Sequence, residues 1–357
     1  MSTTLAQILR RHWPAYVARH GAANILPSHH AAAGAIMSCH TPERGGSLYD
    51  CQCGHRHFAY HGCGHRACPQ CGHREAQEWL DRQTARLLPV TYHLVTFTVP
   101  EQMRGIIRSN QRLMLDILFK ESAGAMQDVA GSKLHGELGL TGALHTWSRR
   151  LVYHPHIHYI VPGVVLRKDG ILATPKNTNY LLCVKVLSVR MRSRFERALR
   201  EKSPLIFHQI APSIWRKEWV VHSEPVGRGK EALTYLSRYI SRTAISSERH
   251  LRESDGNVSF RYKDSKTREQ QTGVLPVLMF IAMFLQHVLP KRLRRVRTSG
   301  WQSPAAKAKF QRIRALLDAL PECVPVTVAK EPVTICCPMC QKPMRLIGTF
   351  NRGPPRC

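Results

Sequence analysis

The chain has 357 residues, of which 52 are Lys or Arg and 24 Asp or Glu, a formal net charge of +28 before its 20 histidines are counted. With 43% apolar and 21% charged residues the composition is that of a globular protein, which excludes disordered and collagen-like classes. A folded chain this basic points to a polyanion, most simply nucleic acid, because neutralised phosphates release their condensed counterions; a ribosomal or membrane-surface protein is the competing class.

The length suits two or three domains. Leu5, Ile8, Leu9, Trp13, Tyr16 and Val17 recur at helical spacing, so the chain opens with an amphipathic helix, and no signal peptide is read ahead of it. From Cys39 to Gly72 the sequence is rich in Gly, His and Cys without periodicity, as expected where metal replaces a core. Helical patterning returns from Arg74 to Leu88. Tyr92 to Val99 then alternates aromatic and β-branched residues and ends at Pro100, a strand signal. A helical stretch from about Gln102 to Ala130 leads to two candidate strands, Gly142 to Trp147 and His156 to Val161, joined by a short basic link. Helices are predicted at Val186 to Arg200 and Lys230 to Ser247, with a strand signal at Trp219 to His222 between them. Val258 to Lys263 reads as part of a hairpin. Val274 to Leu289 holds 16 uncharged residues, short of the roughly 20 a spanning helix needs, and reads as a buried core helix.

Six of the twelve cysteines (Cys39, Cys51, Cys53, Cys63, Cys68 and Cys71) crowd into short spacings that suit a metal better than disulfides, and imply a reducing compartment. Cys68-Pro-Gln-Cys71 is a knuckle whose turn aims two thiolates at one ion, and tetrahedral zinc needs a second pair, for which Cys51-x-Cys53 or Cys63 are candidates. One zinc with spare thiols and two zincs that also use histidines both remain open. Cys336, Cys337, Cys340 and Cys357 are candidates for a second, smaller zinc site, against the alternative of a dangling terminal cysteine.

In His154-Pro-His156-Ile-His158 the last two imidazoles project to one face of a strand, since side chains alternate with period two, and both can reach one cation. His145 joins them if its segment forms a hairpin with theirs; histidines that simply face solvent or nucleic acid are the alternative. Tyr235 and Tyr239 lie one turn apart on a predicted helix, flanked by Arg238 and Arg242. Two aromatics so spaced often pack into a core, but positive charge beside a phenol favours the nucleophilic phenolate. Lys291, Arg292, Arg294, Arg295 and Arg297 place five charges within seven residues with no acidic neighbour in sequence, which favours phosphate contact over a solvated helix face. Gly229-Lys230 is followed by Glu231 and lacks the upstream glycine of a P-loop.

The histidine pair, the upstream histidine and the two tyrosines together resemble the HUH endonucleases, with Ile157 as the hydrophobic U. More narrowly, the cysteine-rich start, the HTW and HPHIHYIVPG blocks, the YLSRYISRTAIS block and FLQHVLP are similar to two-tyrosine rolling-circle transposases of bacterial insertion sequences. The resemblance implies an α+β fold: a central antiparallel nuclease sheet flanked by helices, an N-terminal zinc-binding module and a basic helical C-terminal region. The segments expected are 1–90 for zinc and DNA recognition, 91–250 for the nuclease with its tyrosine helix, 251–335 for basic DNA binding and 336–357 for a zinc-binding tail. It further implies Mg2+ or Mn2+ held by His156 and His158 with His145 as third ligand, Zn2+ at the N-terminal cysteines, and Tyr235 and Tyr239 as nucleophiles that form a 5′-phosphotyrosine. The implied partners are single-stranded or hairpin transposon ends and target DNA, with a host helicase and no membrane, in the bacterial cytoplasm at the nucleoid. A plasmid replication initiator or relaxase of the same chemistry is the enzymatic alternative. A zinc-dependent DNA-binding regulator is the non-enzymatic one.

Overall fold

The computed structural model describes residues 2–84, 86–175, 181–228, 231, 243–245, 250–264, 267–317 and 335–351. Tyr235, Arg238, Tyr239, Arg242, Cys323 and Cys357 lie outside them. In chain order the helices are α1 (Leu5–His20), α2 (Pro27–Met37), α3 (Pro69–Thr84), α4 (Arg104–Ser109), α5 (Gln111–Lys133), α6 (Val184–Lys202), α7 (Pro204–His208), α8 (Val277–Leu285) and α9 (Lys307–Leu316). The strands are β1 (Gly46–Asp50), β2 (Arg56–Tyr60), β3 (Thr91–Thr98), β4 (Gly136–Trp147), β5 (Tyr153–Pro162), β6 (Val165–Arg167), β7 (Leu172–Ala173), β8 (Val221–Arg228), β9 (Arg252–Ser254), β10 (Asn257–Lys263), β11 (Gln270–Pro276), β12 (Val296–Gly300) and β13 (Arg345–Phe350). Among the described residues no helix is long and apolar enough to cross a membrane.

The chain divides into two compact units: Met1–Glu75 with Arg242–Val288 and Val324–Cys357, and Ala76–Ser241 with Leu289–Cys323. The α+β class holds, and each unit is assembled from stretches that are not consecutive in sequence. Strands far apart in sequence pair with each other: β13 joins β1, and β12 joins β4.

In the first unit α1 begins at a capping box, in which the Thr4 hydroxyl accepts from the Gln7 amide and the Gln7 side chain accepts from the Thr4 N–H, so two otherwise unpaired donors are satisfied. Its sheets are β13-β1-β2 and β11-β10-β9. The apolar helix α8 is shorter than the uncharged run that announces it, because the run's first three residues, Val274 to Pro276, finish strand β11 and its last four, Gln286 to Leu289, follow the helix.

The second unit is built on an antiparallel sheet in the order β7-β6-β4-β5-β3-β8, with β12 on the far half of β4. Its main core packs α5 and α6 against one face, through Leu115, Leu118, Met126, Met191 and Phe195 onto Phe97, Ile157, Tyr159 and Val161. Tyr159 is wholly buried there, yet its hydroxyl is satisfied by Ser122 Oγ at 2.8 Å and donates to the Phe119 carbonyl at 3.0 Å. A smaller cluster lies on the opposite face, where Tyr92, Leu94, Ala143 and Ile160 meet Trp301, Phe310 and Ile313. The basic segment after Pro290 is a turn leading into β12 rather than a helix, so the expected helical C-terminal region is in part a sheet edge.

Candidate active site and thiolate centres

Strand β5 alternates as its sequence predicts. Ile157, Tyr159 and Val161 enter the main core, so His156, His158 and Ile160 must face the other way. Antiparallel pairing sets His145 of β4 directly opposite His156, with Ala143 opposite His158, which carries His145 to the same face. The ring centroids are 5.5 Å apart for His145 and His156, 4.8 Å for His145 and His158, and 4.7 Å for His156 and His158. The three imidazoles offer ligand nitrogens all within 4.8 Å of one another.

A register shift occurs beside the site. His145 pairs with His156 but Trp147 pairs with Tyr153, so β5 carries one more residue than β4 in this interval. The extra residue falls at His154–Pro155, where a proline without an N–H interrupts no ladder bond. The bulge brings the His154 carbonyl within 2.6 Å of His156 Nδ1, which donates to it and leaves Nε2 as the free lone pair. His158 Nδ1 is 2.8 Å from Thr96 Oγ1, on the residue directly opposite in β3. His145 stacks on Trp147 with centroids 4.6 Å apart and planes at 18°. His154 Nδ1 accepts from Arg104 at 2.7 Å, and Arg104 also holds Glu101 at 2.8 Å. Burial, then the Arg104 charge, push the His154 imidazole below its ordinary pKa. Burial lowers His156 to about 4 and pushes His158 well below its usual value. Both are therefore neutral near pH 7, the form in which imidazole binds metal. Imidazole ligands without a carboxylate suit Zn2+, Mn2+ or a similar divalent cation, whereas Mg2+ would draw most of its ligands from phosphate and water oxygens.

Thr96, Arg104 and Trp147 are the supporting residues that sequence reasoning passed over. Thr96 had a signal, since it sits in the strand signal before the histidines with the parity of that face; Arg104 had none, because only the bulge brings it to His154.

The basic run is divided by its surroundings. Lys291, Arg292 and Arg294 are exposed and Arg295 is half-buried. Arg292 and Arg294 line a groove of about 860 Å³ with Arg112, Asp116 and Arg297. Arg297 departs from the expectation of an unpaired charge: it donates to Asp116 at 2.6 Å and its guanidinium lies 4.4 Å from the Phe119 ring centre. The Arg295 carbonyl accepts from Leu144 N–H, beside His145.

The cysteines sort differently from the sequence pairing. Cys39, Cys63, Cys68 and Cys71 converge as one group, and Cys51 and Cys53 leave it to meet Cys337 and Cys340 in a second. In the first, Cys39 follows α2, Cys63 follows β2, and Cys68 and Cys71 frame the first turn of α3. The Sγ separations are 3.7 Å for Cys39–Cys71 and Cys63–Cys71 and 3.6 Å for Cys39–Cys68. A zinc–sulfur bond of about 2.3 Å in a tetrahedron implies an edge of about 3.8 Å, so the thiols stand at zinc spacing. The N–H groups of Gly64 and His65 point at Cys71 and Cys63 sulfurs at 3.3 and 3.4 Å. The Cys68 thiol's hydrogen bond helps lower Cys63 to about 5, while burial raises Cys39 to about 11 and the Cys63 thiolate drives Cys68 far above its ordinary value. Of these three, protein groups alone favour the thiolate only at Cys63, so Cys39 and Cys68 would ionise with the help of a bound cation. No histidine joins either group among the described residues.

Two families match the chain. The transposase zinc-binding domain matches residues 8–99. The family described as "Putative transposase" matches residues 139–309. The protein named "Putative transposase y4qJ" of Sinorhizobium fredii is 32% identical over 99% of this chain and 97% of its own length. The "Transposase for insertion sequence element IS801" of Pseudomonas savastanoi pv. phaseolicola is 28% identical over 74% of this chain and 68% of its own. No solved structure matches.

Proposed function

From the premise that this chain belongs to the two-tyrosine transposase family of bacterial insertion sequences, with its N-terminal zinc-binding domain, we propose that it cuts and rejoins single-stranded transposon-end DNA through a 5′-phosphotyrosine, as in rolling-circle transposition. The observation that carries this reading is the convergence of His145, His156 and His158 on one sheet face, their Nδ1 bonds or ring stacking holding them in place.

The three histidines would hold Mg2+ or Mn2+, which when bound supplies Lewis-acid stabilisation of the charge that builds on the non-bridging phosphate oxygens. The chain's residues do the rest. His154 and Thr96 fix the ring orientations, so no reorganisation accompanies substrate binding. Arg292, Arg294 and Arg112 line a groove suited to a phosphate backbone. A phenol of Tyr235 or Tyr239 attacks phosphorus, its oxygen forming the new P–O bond as the bond to the 3′-oxygen breaks; the phenolic proton is lost and the 3′-oxygen leaves as a hydroxyl. The phosphodiester energy is kept in the tyrosyl ester, so rejoining needs no nucleotide hydrolysis. The second tyrosine lets one cut end be held while another is cut or joined. Strand separation would fall to a host helicase, and a cytoplasmic setting beside the nucleoid accompanies this reading.

Incubation with a 3′-labelled single-stranded terminal sequence should give a labelled covalent adduct on a denaturing gel. Each single Tyr→Phe change at 235 or 239 should remove part of it and the double change all of it. An adduct surviving Tyr235→Phe/Tyr239→Phe would refute the assignment.

A further inference from the structure

We propose that Cys51, Cys53, Cys337 and Cys340 bind a second zinc ion, which staples the C-terminal strand β13 to the N-terminal sheet. Neither family match reaches the C-terminal half of this set: one ends at residue 99 and the other at residue 309. The site goes beyond the strand-transfer reading and stands without it.

Two tight turns bring the thiols together. The first follows β1, where Gly54 N–H donates to the Cys51 carbonyl and Cys51 N–H to the His55 carbonyl, with Gly54 at a φ of +84° that favours glycine. The second is the Cys337-Pro-Met-Cys340 knuckle, in which Gln341 N–H returns to the Cys337 carbonyl and Cys337 N–H donates to the Lys342 carbonyl. Across the turns, Cys51 and Cys340 sulfurs lie 3.4 Å apart and Cys53 and Cys337 sulfurs 3.6 Å apart. Those separations are near the zinc edge of about 3.8 Å and far from the ~2.05 Å of a disulfide. Met339 N–H points at Cys337 Sγ at 3.4 Å, as amide donors do around a thiolate carrying negative charge.

The strand arrangement supplies the second reason. β13 pairs with β1 from Gly46–Phe350 to Asp50–Arg345. Yet five of its six residues are exposed, including Leu346 at 51% and Ile347 at 43%. Among the described residues the apolar cluster at its base holds Cys51, Cys337 and Met344, with Tyr49, Ile335 and Cys340 at its margin, and Phe350 at its other end adds edge contacts to Phe58 and Tyr60. So few buried side chains offset little of the entropy of ordering a largely exposed strand, which is the circumstance in which small folds use a metal. Binding replaces four S–H bonds by four Zn–S bonds and releases the thiol protons to solvent. The ion thus joins residues near position 50 to residues near position 340 within one compact unit.

The test is metal content of the reduced full-length chain by elemental analysis. Two zincs per chain are expected, falling to one in Cys337→Ser/Cys340→Ser and to one in Cys68→Ser/Cys71→Ser. A full-length chain that holds a single zinc, or a Cys337→Ser/Cys340→Ser variant that keeps two, overturns the site. Alkylation mapping of the unmodified chain guards against variants that fail to fold: Cys51, Cys53, Cys337 and Cys340 should be protected together and become reactive together as a chelator is titrated. If Cys337 and Cys340 alkylate as fast as the exposed Cys336 while zinc is retained, or if intact mass shows the hydrogens lost to disulfides, the proposal fails.

Discussion

Replacing Arg297 by Gln should cost stability and leave DNA affinity nearly intact, whereas replacing Arg294 by Gln should do the reverse. Arg297 donates to Asp116 at 2.6 Å, with 29% and 48% of the two side chains exposed. An ion pair this wet is worth about 0.2–1 kcal/mol. The Phe119 contact at 4.4 Å adds about 0.5–2 kcal/mol. The loss is therefore about 1–3 kcal/mol, or about 2–12 °C in Tm for a unit of this size. Arg294 is exposed beside the groove, so its removal should shift stability by no more than about 0.5 kcal/mol. If it contacts one phosphate, the slope of log affinity against log salt for a single strand should fall by about 0.7. Thermal unfolding and fluorescence anisotropy across a salt series measure the two quantities on the same samples. An Arg297→Gln chain that loses salt slope while its Tm is unchanged would refute this division of the basic run.

Three other outcomes follow from the second unit. His156→Ala and His145→Ala should abolish covalent adduct formation on a 3′-labelled single strand while circular dichroism and Tm stay near the parent's; adduct at parental levels from both would remove the histidine site from the chemistry. Gly142→Ala should destabilise by about 1–3 kcal/mol through overpacking, because an added Cβ would stand 2.6 Å from the buried Tyr159 ring, and urea denaturation showing no change would contradict the packing. His93 is buried with Nδ1 unpartnered, and burial lowers it from 6.5 to about 4. The folded state resists its protonation, so the stability tied to the neutral ring is full above pH 6.5 and is lost as pH falls toward 4, by about 3 kcal/mol at 1.36 kcal/mol per unit. Chemical denaturation between pH 7 and 4 should show a shallower acid loss in His93→Phe than in the parent; equal slopes would show that His93 does not carry it.

The legibility of the site varied with how local each signal was. His156 and His158 could be placed on one face from spacing alone, since a strand's period of two needs no knowledge of its neighbours. His145 required a pairing register, and the structure sets it opposite His156 with a bulge at Pro155. Arg104 could not be read, because its meeting with His154 crosses from α4 to β5. The cysteines show the same limit more sharply. Cys68 and Cys71 announce a knuckle, but Cys53 finds its partners among residues near 340 rather than in the adjacent crowd. The Lys291 to Arg297 run looked uniform in sequence. Only packing against α5 separates Arg297 from the exposed charges.

By itself, the sequence pointed to a polyanionic partner and marked the helical and strand stretches, the thiol-rich and histidine blocks and the tyrosine pair, because charge, period and residue chemistry are local properties carried by short stretches of chain; the α+β arrangement came with the family resemblance those blocks carry. Tertiary structure alone decided which thiols converge on one another, which residue of β5 lies opposite His145 and which arginines of the basic run stay exposed. Each of those is a meeting between segments whose separation in sequence carries no distance information, and the sheet registers that create it are set by burial on the opposite face.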